Sequence, residues 1–302
     1  MISYIEEIKR LKKEKNAIIL AHFYQPKEIQ DIADYLGDSL KLAQIAVEAK
    51  ADILVFCGVH FMAETAKILN PKKKVLLPVL EAGCLMADMI TESDLKKYRL
   101  SHPNTKIITY VNSTASTKAE SDCICTSTNA LKIIKHYTDK GEAILYCPDQ
   151  NLAKYAMKQG NLSFDAWKGC CPIHHDLDRN EVLNKKKEYP EALVLAHPEC
   201  QLNILELADY VGSTKQLLDY VIKSPKDTFI ICTEEGVIHA MEKACPEKNF
   251  ILASTSLLCP SMKYTTLKDV YTCLAKETNE IIVSEEVAKR AKLALEEMLK
   301  LS

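Results

Sequence analysis

The sequence predicts an α/β protein of three pseudo-threefold-related α/β/α domains, each with a parallel sheet, arranged around a central site. Three observations predict it. Cys84, Cys171 and Cys259 stand 87 and 88 residues apart, each in a short stretch (GCLM, CCPI and LCPS) that follows an apolar run. Other landmarks repeat with the same period and in the same order, as a true triplication requires. Apolar runs also alternate with helical segments, the pattern of a parallel sheet covered by helices.

The N-terminal MISYIEEIKRLKKEK reads as a charged amphipathic helix without the apolar core of a signal peptide. The first strand of each repeat is AIILAH ending at His22, KIITYVN ending at Asn112 and ALVLAH ending at His197. The second is ILVFCG, AILYCP and FIICTE, which places Cys57, Cys147 and Cys232 at matching points. The third is VLLP near Val75, a weaker LSFDAW near Phe164 and FILA near Phe250, each leading into one of the spaced cysteines. Helices are expected at 39–49, 127–137 and 213–223 after the first strands, and at 62–69, 152–158 and 237–243 after the second. The tail exceeds the repeat, with helices at 267–276 and 285–299 around a strand IIV, and is expected to return to the first domain. The division is therefore 1–85 joined by the tail 261–302, then 86–172, then 173–260. Right-handed crossovers put the carboxyl ends of the strands of each repeat on one face, where ligands bind.

A composition of 47% hydrophobic and 26% charged residues over 302 positions is that of a soluble globular protein with an ample core. The net charge of −2 gives no footprint for nucleic acid, and the lysine runs at 72–74 and 185–187 read as solvated surface. No apolar stretch approaches the roughly 20 residues needed to span a bilayer, so no membrane partner is expected and the cytoplasm is the default location. In that reducing setting twelve cysteines point to metal binding or buried thiols rather than disulfides. Cys57, Cys147 and Cys232, within apolar strands, read as small core hydrophobes. Cys123, Cys125, Cys245 and Cys273 read as structural, and Cys200, after HPE, as a residue lining a site without ligating.

In this topology the first-strand ends deliver His22 and Tyr24, Tyr110 and Asn112, and His197 and Glu199 to one central space. The matching helix starts deliver Ser39, Ser127 and Thr214. Hydroxyls at helix N-caps, beside free N–H groups and the positive end of the dipole, make anion sites. Three of them suit a substrate rich in carboxylate or phosphate. Three convergent thiolates fit either a zinc ion with an open position or a cubane iron–sulfur cluster with one open iron. Close ligand spacing such as CxxCxxC, common in clusters, is absent. The hydroxyl, imidazole and carboxylate surroundings favour Lewis-acid chemistry on a bound substrate over electron transfer.

The motifs AHFYQ at 21–25, DIADYLGDS at 31–39, FMAE at 61–64, YVNST at 110–114 and CTS at 125–127 resemble those of the quinolinate synthase family. So do CPIH at 171–174, HPEC at 197–200, DYVGST at 209–214 and the single Cys259 ahead of SMK, so the resemblance spans essentially the whole chain. It implies a 4Fe-4S cluster held by Cys84, Cys171 and Cys259, with one iron open. It implies condensation of iminoaspartate, supplied by an aspartate-oxidising enzyme, with dihydroxyacetone phosphate to give quinolinate, phosphate and water, in NAD biosynthesis. Carried across by position, the substrate contacts are His22, Ser39, Tyr110, Val111, Asn112, Ser127, His197, Pro198, Glu199 and Thr214. Tyr24, His174 and Glu199 are the proton carriers, because imine formation, isomerisation and dehydration each need acid–base help. Of the adjacent pair Cys170 and Cys171, the CPIH motif selects Cys171. His60, His136, His175 and His239 have no motif support.

Two other readings are open. A related three-domain architecture with one cysteine per domain occurs in the diphthamide-forming radical enzymes, which cleave S-adenosylmethionine; the HPEC and YVNST motifs argue against it. A cluster-based sensor or a zinc-stabilised scaffold predicts a closed site with a fourth protein ligand.

Overall fold

The computed structural model describes residues 3–302. It contains three four-stranded sheets, all of whose strands are parallel. The first is built from β1 (Ala17–His22), β2 (Tyr35–Gly37), β3 (Ile53–Cys57) and β4 (Lys74–Leu76). The second holds β5 (Lys106–Tyr110), β6 (Cys123–Cys125), β7 (Ile144–Cys147) and β8 (Asp165–Ala166). The third holds β9 (Leu193–Ala196), β10 (Tyr210–Val211), β11 (Thr228–Cys232) and β12 (Asn249–Leu252). Each sheet has the same order, β2-β1-β3-β4 and its equivalents, so the three repeats share one topology.

The central strands are continuous apolar runs because both faces are covered. All residues of β3 and of β7 are buried, as expected for a parallel strand between helical layers. The helices that cover them start on polar caps: Asp38 accepts from the Lys41 N–H, Asp149 from Leu152 and Ser213 from Gln216.

Five details depart from the sequence expectations, one of them the tail, whose last helix crosses to the second repeat instead of returning to the first domain. Each repeat has a further short strand, β2, β6 or β10. At two or three residues these are too short to show a period, and β6 is the segment whose Cys123 and Cys125 read only as structural. The helix expected at 127–137 runs Ala130–Thr138 instead, because Thr126 to Asn129 make a turn in which the Asn129 side chain accepts from the Thr126 N–H at 2.7 Å. The expected strand IIV reduces to an isolated antiparallel bridge between Leu76 and Glu280. It lies along the outer strand β4, where the Ile281 N–H donates to the Val75 carbonyl at 2.8 Å. The N-cap residues are Asp38 and Ser213, so Ser39 and Thr214 occupy the first helical position rather than the cap.

The tail uses two surfaces. Helix Leu267–Lys276 lies against the N-terminal helix Tyr4–Glu14, and Val270, Cys273 and Leu274 join Ile8, Leu11, Ile19 and Val55 in one apolar cluster on the first sheet. Glu277 then pairs with Lys15 and Lys74, each at 2.6 Å. The last helix, Glu285–Leu301, crosses to the second repeat, packing on helix Ala115–Ala119 and β6, with Arg290 paired to Glu120 at 2.6 Å. No helix among the described residues is long and apolar enough to cross a membrane.

Candidate active site

The carboxyl ends of the three sheets face one common cavity. His22 and Tyr24 from the end of β1, Tyr110 and Asn112 from β5, and His197 and Glu199 from β9 all line it. So do Ser39 and Thr214 from the first helical positions, Ser127 from the turn ahead of helix Ala130–Thr138, and Cys84, Cys171, His174 and Cys259 from the segments after the last strands. Val111 and Pro198 do not. The Val111 N–H is spent on the Cys125 carbonyl at 2.8 Å, continuing the sheet, and Pro198 has no N–H to offer. Cys200 is also displaced from the cavity: it packs in the core of the third repeat, its thiol donating to the Cys232 carbonyl at 3.4 Å. His60, His136, His175 and His239 lie outside the lining.

Two histidines repeat one device. The His22 Nδ1 accepts the Tyr24 N–H at 3.1 Å, and the His197 Nδ1 accepts the Glu199 N–H at 3.3 Å. Each ring is therefore set with its proton on Nε2. Burial, with the neighbouring imidazole, pulls His22 down to about 3. Burial likewise pulls His197 down to about 4 against the attraction of Glu199. Both are neutral hydrogen-bond donors near neutrality.

Glu199 is the hub of a buried polar network. Its Oε1 accepts from the Tyr110 hydroxyl at 2.7 Å, and its Oε2 lies 2.8 Å from the His174 Nδ1. Burial pushes this carboxyl up, but His197, His174 and the Tyr110 hydroxyl together outweigh it and hold the group below the ordinary glutamate range. The other ring nitrogen of His174 lies 2.9 Å from the Thr233 hydroxyl, which lies 2.7 Å from the Tyr24 hydroxyl. Tyr24, Thr233, His174, Glu199 and Tyr110 thus form one chain of hydrogen bonds across the seam between repeats. Burial keeps both phenols protonated by raising them well above the ordinary tyrosine value. Gly236 makes the seam possible: a Cβ there would stand 2.7 Å from the Tyr24 Cα.

The three loop cysteines share a second device. Each leads into a short helical turn whose backbone folds back on the cysteine's own carbonyl: the Asp88 N–H donates to Cys84 at 3.3 Å, His174 to Cys171 at 3.2 Å and Met262 to Cys259 at 3.1 Å. The donor set can be tested for fit. A single zinc ion with Zn–S bonds of about 2.3 Å draws its sulfurs to within about 3.8 Å of one another. Among the described residues the three sulfurs do not all lie within 4.8 Å, whereas one donor atom each from Cys171, His174 and Glu199 do. The trio is thus wider than a single zinc ion draws together, while three cysteines on one cavity match in kind the thiolate donors of a cluster.

Four polar residues that sequence reasoning passed over belong to this site: Thr233 in the hydrogen-bond chain, Asp38 and Glu234 on the cavity wall, and Asp149 behind Cys171. The signal available was positional. Asp149 and Glu234 both stand two residues beyond the strand cysteine of their repeat.

Comparison with known proteins agrees over the full length. The family model for quinolinate synthetase A protein matches residues 6–300. The quinolinate synthases of Sulfurihydrogenibium sp. and Alkaliphilus metalliredigens are each 49% identical, the match covering 98% of this chain and 97% and 98% of theirs. That of Caldicellulosiruptor saccharolyticus is 46% identical over 98% of this chain and 97% of its own. On the matched motifs, the shared span and the repeated α/β architecture, the chain belongs to the quinolinate synthetase A family.

Proposed function

We propose that this chain is a quinolinate synthase, condensing iminoaspartate with dihydroxyacetone phosphate and releasing phosphate and water, in NAD biosynthesis. The observation that carries this is the convergence, on one cavity, of three loop cysteines and the buried Tyr24–Thr233–His174–Glu199–Tyr110 chain. Bound through Cys84, Cys171 and Cys259, a 4Fe-4S cluster would keep one iron open as a Lewis acid that polarises a substrate oxygen.

The protein's own groups account for the rest. Ser39 and Thr214 stand at the first position of ten-residue helices, where the free N–H groups and helix dipole hold carboxylate or phosphate. The Nε2–H groups of His22 and His197 donate to the same anions without adding charge. The Asn112 side-chain oxygen is buried without a partner and is ready to accept from the imine nitrogen or a substrate hydroxyl. Glu199 takes protons during isomerisation and dehydration, and Tyr24 and His174 return them. A cytoplasmic setting, with an aspartate-oxidising enzyme supplying iminoaspartate, and repeat domains at 1–85, 86–172 and 173–260 complete the reading.

The test is anaerobic isolation, iron and sulfide analysis, and an assay with both substrates scored for quinolinate. About four irons per chain together with product supports the reading. A full cluster that cleaves S-adenosylmethionine and makes no quinolinate rejects it in favour of the radical enzymes.

A further inference from the structure

The three cysteine loops are clasped to their sheets in the same way. Three residues after each strand cysteine, a backbone N–H donates to the carbonyl two residues before the loop cysteine. His60 donates to Ala82 at 2.8 Å, Gln150 to Gly169 at 2.8 Å and Glu235 to Leu257 at 2.9 Å. The second clasp is tight enough that a Cβ on Gly169 would stand 2.7 Å from the Pro148 carbonyl oxygen.

The position just before each donor is not equivalent. It is Val59 in the first repeat, Asp149 in the second and Glu234 in the third. Both carboxylates are fully buried, and both accept the N–H of the loop cysteine itself. The Asp149 Oδ2 accepts from Cys171 at 3.3 Å, and the Glu234 Oε1 accepts from Cys259 at 3.1 Å. Each also holds its own turn: the Asp149 Oδ1 accepts from Leu152 at 2.7 Å, and the Glu234 Oε2 from Gly236 at 2.8 Å. Lys263 neutralises Glu234 at 2.8 Å. The Val59 side chain can accept nothing. The first loop is braced instead beyond its cysteine, where the Trp167 indole donates to the Met89 carbonyl at 2.8 Å.

We propose that Asp149 and Glu234 are positioning residues that fix the backbone of Cys171 and Cys259 for cluster binding, leaving Cys84 as the ligand without such a carboxylate. The inference rests on the cluster assignment above. A buried carboxylate is expensive to keep in an apolar interior, and a helix cap alone needs only a hydroxyl. Its two oxygens are explained by two tasks, one within the local turn and one on the cysteine loop. Groups of this kind behind the ligands of metal sites typically change affinity roughly 10- to 100-fold when altered.

The test uses the substitutions Asp149→Ser and Glu234→Ser. A serine hydroxyl can still accept from its own turn but has no second oxygen to reach the cysteine N–H as well. Cluster-loaded proteins are challenged anaerobically with an iron chelator, and cluster-free proteins are melted. The expected result is iron release roughly 10- to 100-fold faster, an altered paramagnetic-resonance spectrum of the reduced cluster, and a cooperative melt that shows each variant folded. Iron release and spectra matching the parent in either folded variant overturn the proposal. Failure of both variants to fold also overturns it, since the carboxylates would then serve the fold as a whole. A parent protein that takes up no cluster refutes the cluster assignment instead, which separates the two failures.

Discussion

Each repeat carries two cysteines that recur with nearly the same period, and the two sets have different surroundings. Cys57, Cys147 and Cys232 end the second strands, wholly buried among aliphatic side chains. Cys84, Cys171 and Cys259 follow the last strands, half-buried at the cavity wall. Burial pushes the thiols of both sets up, Cys147, Cys232 and Cys84 each to about 12. Acidity therefore does not separate them. The backbone does: a strand cysteine ends a buried parallel strand, whereas a loop cysteine leads into a short helical turn on the cavity wall, its carbonyl accepting from that turn. Periodicity finds both sets, and only the element that follows tells a ligand from a core residue.

The comparison can be sharpened from the cavity side first. Glu199→Gln and Tyr24→Phe are expected to lower the rate of quinolinate formation roughly 10²- to 10⁴-fold with iron content unchanged, measured as initial rates beside iron analysis. Iron loss in either variant would move that residue into the cluster's support.

A second effect comes from acid. His22 and His197 are held at about 3 and about 4 in the folded chain but titrate near 6.5 when unfolded. Between those values the unfolded chain binds protons that the folded chain refuses. Stability is therefore expected to fall as pH drops from about 6.5 toward 4, by about 1.4 kcal/mol per pH unit for each histidine. Urea midpoints across that range check this, and His22→Asn should flatten the slope.

On the core side, Cys57→Ala, Cys147→Ala and Cys232→Ala are expected to cost roughly 1–3 kcal/mol each through lost packing, read from urea unfolding. The smallest effect belongs to the surface. Glu277→Gln removes ion pairs to Lys15 and Lys74 at a site 31% exposed, and a shift of less than about 1 kcal/mol is expected in the same measurement.

Long apolar strands and the residues at their ends were legible in the sequence because repetition at a fixed period marks them three times over. AIILAH, KIITYVN and ALVLAH announce both a strand and the polar groups that leave it. The short strands Tyr35–Gly37 and Tyr210–Val211 were not legible, since two or three residues carry no period. Nor was the strand IIV correctly read: its β-branched composition fits a strand, but it makes only an isolated bridge at the outer edge of a sheet. Thr233 and the carboxylates of Asp149 and Glu234 were hidden for a different reason. Their role depends on which loop folds back over them, and that partner lies about 20 residues or more along the chain.

The most direct measurement is iron and sulfide content of six anaerobically isolated alanine variants, three at the loop cysteines and three at the strand cysteines. The account predicts that Cys84→Ala, Cys171→Ala and Cys259→Ala each lose the intact cluster, while Cys57→Ala, Cys147→Ala and Cys232→Ala keep the parent's iron and sulfide. A full cluster in any of the first three, or its loss in a folded member of the second three, would contradict the ligand assignment on which the account stands.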